Sequence, residues 1–208
     1  MATVLNTSEQ KVLLSGVSWE TYSRLVAERQ ESSGTRLYYD LGTLEIMSPS
    51  YKHEALKESI ATLFQLLASE MNIAFRAAGS TTFRREDLSK GFEPDACFYV
   101  QHLPNIRGKT EIDLNTDPPP DLVIEIDITK SSLDKLHIYA AARVPEVWRY
   151  VGDVLKILKL NGNTYTEVPE GTCLPHINSI TLTEFVRSSQ SVDSNVWIRQ
   201  VRDWAGKI

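Results

Sequence analysis

Two short runs place carboxylates where strands are expected. In DLVIEIDIT (121–129) Glu125 and Asp127 stand among isoleucines, and in FEPDACFYV (92–100) Glu93 and Asp95 stand among apolar and aromatic residues. Side chains alternate between the two faces of a strand. The first run therefore sends Leu122, Ile124, Ile126 and Ile128 one way and Asp121, Val123, Glu125, Asp127 and Thr129 the other. The second sets Ala96, Phe98 and Val100 against Glu93, Asp95, Cys97 and Tyr99. On this reading each strand presents an acidic pair on a single face. Acidic residues are depleted in strands, and like charges side by side on one face repel. Two readings follow. The acidic faces are solvated, as in a half-exposed antiparallel sheet, or together they make an acidic floor for a hard cation. Oxygen ligands from one or two carboxylates, with several waters retained, are what Mg²⁺ prefers. The His- and Cys-rich pattern of a zinc site does not occur in the sequence.

These residues need elements to hold them. The stretch 18–30 reads as a helix, with Ser18 as N-cap and Tyr22, Leu25 and Val26 at helical spacing. RLYYD and TLEIMS, separated by Leu41 and Gly42, read as a hairpin. A longer helix spans 52–71, with Leu56, Ile60, Leu63, Phe64, Leu67 and Met71 on one stripe. His53 shares that stripe and should face the sheet, whereas Glu54 lies about 100° round the wheel. Strands follow at NIAFRAAG, FEPDACFYV and DLVIEIDIT, the last two separated by a loop through Asn115–Pro120. SSLDKLHIYAAARV reads as a helix with Ser131 and Asp134 at capping-box spacing. EVWRYV, VLKILKL and TYTEV read as a meander turning at Asn161-Gly162-Asn163, and 181–187 as a short helix. The tail places Trp197, Val201, Trp204 and Ile208 on one stripe, suited to core packing or to a dimer contact. Residues 1–15 read as loosely ordered. The order predicts a mixed α/β domain over 1–208, with its sheet flanked by helices, a core at about 18–187 and a C-terminal helix at 194–208.

Composition sets the outer limits. The chain has 208 residues and a formal net charge of −5, which argues against nonspecific coating by nucleic acid. A local basic groove is still available from FRRED (83–87), Lys90, Lys130, Lys135, Arg143 and Arg149, unless these are scattered solvated charges. No apolar run approaches the roughly 20 residues needed to span a membrane, and the N-terminus lacks the pattern of a signal peptide. A cytoplasmic protein with no membrane partner is expected. Cys97 and Cys173 fit neither a disulfide framework nor a zinc pattern and read as packed thiols.

Pro94-Asp95, followed after a loop by Glu125-Ile126-Asp127, resembles the PD-(D/E)xK nuclease superfamily with its restriction-endonuclease-like fold. LEIMSPSYKHE, FEPDACFYV, PDLVIEID and KLHIYAAARVPEVWRY, in that order over Leu37 to Tyr150, resemble one branch of it: the Uma-two family of endonuclease-like proteins, common in cyanobacteria. The resemblance implies a divalent metal, Mg²⁺ or Mn²⁺, held by Asp95 and Glu125. It also implies DNA as substrate, hydrolysis by a metal-activated water, and often a homodimer that cuts both strands. Asp127 stands where the superfamily motif has a lysine, and can serve only as a further acid on the metal side. The resemblance points to Lys135 as the substitute. Lysine near a helix N-terminus is mildly unfavourable, so Lys135 either reaches back to the carboxylates or is a solvated surface residue. His53 matches the family's histidine at the start of the long helix, as a site residue or as a buried hydrogen-bonded one. Glu54, or Glu45 on the hairpin, is the candidate for an additional acid, and Tyr139 sits one turn after Lys135. A metal-dependent endonuclease is the first functional expectation. A nuclease-fold module that binds DNA or a protein partner without cleavage is the alternative.

Overall fold

A computed structural model describes residues 9–29, 34–129 and 133–207. In chain order these form β1 (Gln10–Ser15), α1 (Trp19–Glu28), β2 (Arg36–Asp40), β3 (Thr43–Ser48), α2 (Tyr51–Glu70), β4 (Arg76–Ala77), β5 (Phe83–Arg85), β6 (Lys90–Phe92) and β7 (Ala96–Tyr99). Then follow α3 (Leu103–Ile106), β8 (Leu122–Asp127), α4 (Lys135–Ala141), β9 (Glu146–Val151), β10 (Val154–Asn161), β11 (Thr164–Val168), α5 (Ser179–Ser189) and α6 (Ser194–Ala205).

The strands make two sheets. One has the order β1-β3-β2-β6-β5 and is antiparallel throughout. The other runs β11-β10-β9-β8-β7-β4. It is antiparallel except where β8 and β9 lie parallel, with α4 in the connection between them, because a parallel neighbour needs a crossover. The fold is the mixed α/β arrangement that the element order implies.

The second sheet is covered on both faces. On one, Ala96, Phe98, Leu122, Ile124 and Ile126 pack against the α2 stripe of Leu56, Ile60, Phe64 and Leu67. Trp197 and Val201 of α6 close the same cluster, with Trp204 against it, so that stripe packs into the core. Ile208 lies outside the described residues. On the other face Cys97, Val123 and Val147 pack with Tyr38 of the first sheet and with Ile138 and Tyr139 of α4. This second cover corrects the idea of a solvated acidic face: Asp95 and Glu125 are both interior.

Three further differences concern single segments. FEPDACFYV is not one strand. Phe92 ends β6 in the first sheet, and Ala96 begins β7 in the second. Between them Pro94 has no N–H to give to a ladder. The presumption of an acidic pair at Glu93 and Asp95 fails for that reason. Glu93 turns to the first sheet, accepting from the Leu37 amide at 2.9 Å, from Thr82 at 2.5 Å and from Arg29. NIAFRAAG contributes only the two residues of β4. Residues 10–15, expected to be loose, form β1 along β3. Asp134 caps α4, which starts at Lys135, while Lys130 and Ser131 lie outside the described residues. Cys97 and Cys173 are buried free thiols. Among the described residues no helix is long and apolar enough to cross a membrane.

Candidate active site

The antiparallel register of β7 and β8 pairs Ala96 with Ile124 and Cys97 with Val123. One step further along that ladder puts Asp95 across from Glu125. The connection is physical as well as formal, since Oδ2 of Asp95 accepts from the amide of Ile126 at 2.8 Å. Its other oxygen, Oδ1, is 2.8 Å from Nε2 of His53. His53 is fully buried at the first turn of α2, facing the sheet as its wheel position requires. Its Nδ1 is 2.6 Å from Oε2 of Glu9. Burial disfavours an imidazolium here, but Asp95 and Glu9 outweigh it and raise His53 to about 9. Asp95 is likewise pushed up by burial, yet its hydrogen bond and charge contact with His53, helped by Lys135, hold it below the usual carboxylate range.

Glu125 sits at the centre. Oε2 accepts from Nζ of Lys135 at 2.8 Å, and Oε1 accepts from the hydroxyls of Tyr38, at 3.1 Å, and Tyr139. The Lys135 ammonium also lies 3.9 Å from the centre of the Tyr38 ring, a cation–π geometry. Burial, opposed by Lys135 and reinforced by Asp95 and Asp127, raises Glu125 to about 7. Lys135 is buried too. Burial alone would favour its neutral form, but Glu125 and Asp95 hold it charged, with its pKa above the ordinary lysine value.

Asp127, at the end of β8, accepts from Nε of Arg149 at 2.5 Å through Oδ2. Its Oδ1 is buried without a hydrogen-bond partner among the described residues. Glu125, Asp127, Lys135, Tyr139 and Arg149 all line one cleft of about 510 Å³. Asp95 lies behind this cleft, not in its wall.

Of the residues singled out in the sequence, Asp95, Glu125, Lys135, Tyr139 and His53 come together directly, and Asp127 joins at the rim. Glu54 does not. It turns to Lys57 at 2.5 Å and Arg36 at 3.6 Å. Glu45 is fully buried on β3, opposite Tyr38 in the β2–β3 register. Among the described residues of the proposed basic groove, only Lys135 and Arg149 line the cleft. Arg85 is paired with Asp87, Lys90 with Asp40, and Arg143 with the 162–163 turn. Tyr38 and Glu9 are additions. Tyr38 was visible only as one of two tyrosines in RLYYD, and strand alternation, with Tyr39 in a different cluster, distinguishes them.

The set can be tested for a divalent ion. All candidate ligand atoms are carboxylate oxygens, as Mg²⁺ requires. Asp95 accepts one hydrogen bond at each oxygen, which leaves lone pairs on both, and Asp127 Oδ1 has no hydrogen-bond partner among the described residues. Among the described residues no group of three or more His, Cys, Asp or Glu side chains is placed to hold a metal ion. The carboxylate donors suit Mg²⁺ with most of its waters retained and only one or two of them engaged at a time.

Comparison with known proteins agrees with this architecture. A crystal structure described as a putative nuclease belonging to DUF820, from Anabaena variabilis, is similar to the chain with a TM-score of 0.57 and 13% identity. The match covers 82% of this chain and 99% of that one. The chain thus shares the mixed α/β fold of that protein. The Uma2 family model, described as "Putative restriction endonuclease", matches residues 19–193, and the chain belongs to that family. No curated protein matches it significantly.

Proposed function

We propose that the chain is a metal-dependent endonuclease that hydrolyses phosphodiester bonds in DNA. The observation that carries this reading is the position of Lys135: its ammonium points inward, 2.8 Å from Glu125, on the side of α4 that lines the cleft. A lysine from the following helix thereby takes the place that Asp127 leaves vacant on the strand. Asp95 and Glu125, with the free oxygen of Asp127 at the rim, would hold Mg²⁺ or Mn²⁺. Such an ion, when bound, neutralises phosphate charge and lowers the pKa of an attacking water.

The protein's own groups do the rest. Lys135 donates to oxygen and supplies positive charge where the phosphoryl group gains negative charge in the transition state. Tyr38 and Tyr139 fix the Glu125 carboxylate by donating to Oε1. Charged His53 fixes Asp95 in the same way. Both carboxylates are therefore oriented before substrate arrives, which is how a preorganised site avoids reorganisation during reaction. A homodimer would present two such clefts to the two strands of a duplex.

The test is cleavage of supercoiled plasmid with Mg²⁺ or Mn²⁺, by the wild type and by Asp95→Ala, alongside calorimetric titration of Mn²⁺. Cleavage by the wild type alone, with Mn²⁺ uptake lost in the variant, supports the reading. Equal cleavage by both, or none by either without metal uptake, overturns it.

A further inference from the structure

Arg149 is an unusual residue for its place. It lies in the middle of β9, in a run otherwise made of valine, tryptophan and tyrosine after Glu146. In the parallel register it is directly across from Glu125, so its side chain leaves the sheet on the same face as that carboxylate. Lysine or arginine on a central strand normally escapes to water at full length. Here the side chain is 36% exposed and is bent to Asp127, which is itself only 8% exposed.

The contact uses Nε, at 2.5 Å from Oδ2. That choice of atom matters. A guanidinium has five N–H donors in a rigid planar fork. Binding a carboxylate through both terminal nitrogens would consume the fork, whereas binding through Nε holds the plane by its root. No hydrogen bond is formed by either terminal nitrogen of Arg149 among the described residues. Both belong to a side chain in the wall of the cleft that Glu125 and Lys135 share. Donors on a partly exposed, ion-paired side chain that lines the cleft are suited to a ligand with paired anionic oxygens. Phosphate geometry matches a guanidinium bidentately.

We propose that Arg149 is a phosphate-binding residue of this cleft. Its terminal amino groups take the non-bridging oxygens of a backbone phosphate neighbouring the one addressed by Lys135. Asp127 is the positioning residue that aims it. The inference rests on the nuclease reading for the identity of the polymer, and extends it from the reacting group to how the strand is held. It also gives Asp127, placed where a lysine would stand, a use of its own: the cation lost from β8 is matched by one anchored from β9.

The experiment measures binding separately from cutting. A fluorescent DNA duplex is titrated by anisotropy over a salt series, with Ca²⁺ as the sole divalent ion, against wild type, Arg149→Ala, Arg149→Gln and Arg149→Lys. Thermal melts run in parallel, and cleavage of the same duplex is measured in Mg²⁺. Losing a charge-assisted contact should weaken binding by roughly tenfold or more in Arg149→Ala, equally for unrelated sequences, and reduce the slope of log K against log salt by about one. Arg149→Lys should restore the salt slope but not the full affinity, since it keeps the charge without the fork. Arg149→Gln, which can still hydrogen-bond to Asp127, should bind as weakly as the alanine variant and serves in its place if that variant does not fold. Asp127→Asn, an uncharged acceptor of the same shape, should retain most of the affinity, while Asp127→Ala should lose it. Wild-type affinity and slope in folded Arg149→Gln overturn the assignment even if the enzyme cuts. A wild type that binds in an Arg149-dependent way but never cuts leaves the assignment standing and removes the nuclease reading. A wild type with no affinity for any duplex overturns both.

Discussion

Lys135 and Glu125 form a buried ion pair of 2.8 Å between the first residue of α4 and the centre of β8. Neither side chain is placed for stability alone. A lysine at a helix start opposes the helix dipole, and a buried pair recovers its desolvation cost only when the remaining lone pairs are satisfied. Here Tyr38 and Tyr139 satisfy Oε1, and Oε2 keeps one lone pair beside Lys135.

Replacing Lys135 by methionine keeps the length of the stem and removes the charge. Single-turnover cleavage should fall by about 10²–10³-fold, the usual effect of losing one donor to transition-state charge. Lys135→Arg should not rescue it, because a planar guanidinium does not fit a point-charge site packed on the Tyr38 ring. Glu125, freed of its cation, should titrate above its present value of about 7, and a carboxyl infrared band followed over pH reads this directly. Full activity in Lys135→Met would remove the lysine from the chemistry.

Tyr38 contributes a hydroxyl and a ring. Tyr38→Phe loses only the hydroxyl, which lies 3.1 Å from Oε1 of Glu125, and should cost on the order of 1 kcal/mol. Tyr38→Ala also removes a fully buried ring from the contact between the sheets and should cost about 3–5 kcal/mol. Urea unfolding of the two variants separates the contributions. Near-equal losses would mean that the ring contributes little to the docking of the sheets.

The Glu9–His53–Asp95 chain predicts a stability profile in chelator. His53 is raised from 6.5 to about 9, so the folded state binds its proton more tightly than the unfolded one. That stabilisation is complete below about pH 6.5 and is lost as pH rises through about 9. Glu9 is lowered from 4.5 to about 2; burial opposes the shift, while His53, Lys11 and Thr129 cause it. Its contribution is complete above about pH 4.5 and is lost as pH falls towards 2. Stability should therefore be greatest between these limbs, each limb amounting to about 1–3 kcal/mol. His53→Gln should flatten the alkaline limb and also shrink the acid one, since His53 is the largest of the groups that lower Glu9. An unchanged alkaline limb in that variant, followed by thermal melts across pH, would show that the imidazole does not cause it.

Gly91 tests the packing of α1 on the first sheet. A Cβ at this position would come within 2.1 Å of the Tyr22 hydroxyl, on a ring that is itself fully buried. Gly91→Ala should destabilise by about 1–3 kcal/mol, and the double variant with Tyr22→Phe, which removes the crowding oxygen, should recover part of that loss. A neutral Gly91→Ala would mean that α1 gives way freely.

Much of this site could be read from the sequence because it rests on regular periods. The 2.0 period of β8 put Glu125 and Asp127 on one face, and the 3.6 period of α2 turned His53 inward and Glu54 aside. What stayed hidden depends on contacts distant in the chain. Glu9 reaches His53 across 44 residues, and Tyr38 reaches Glu125 across 87; no local pattern encodes such pairings. The same holds for the first sheet, whose cover over β8 made one face of that strand an interior. Alternation along FEPDACFYV misled for a different reason: the rule holds within a strand, and Pro94 divides this one.

That division at Pro94 also bears on how the protein comes to be competent. Glu93 is tied into one sheet and Asp95, two residues on, into the other, so this short peptide is a rivet between two halves that fold from different parts of the chain. Until both halves have formed and docked, Glu125 lacks Tyr38 and His53 lacks Glu9. An assembly intermediate would therefore lack the completed hydrogen-bond set around Glu125 and His53.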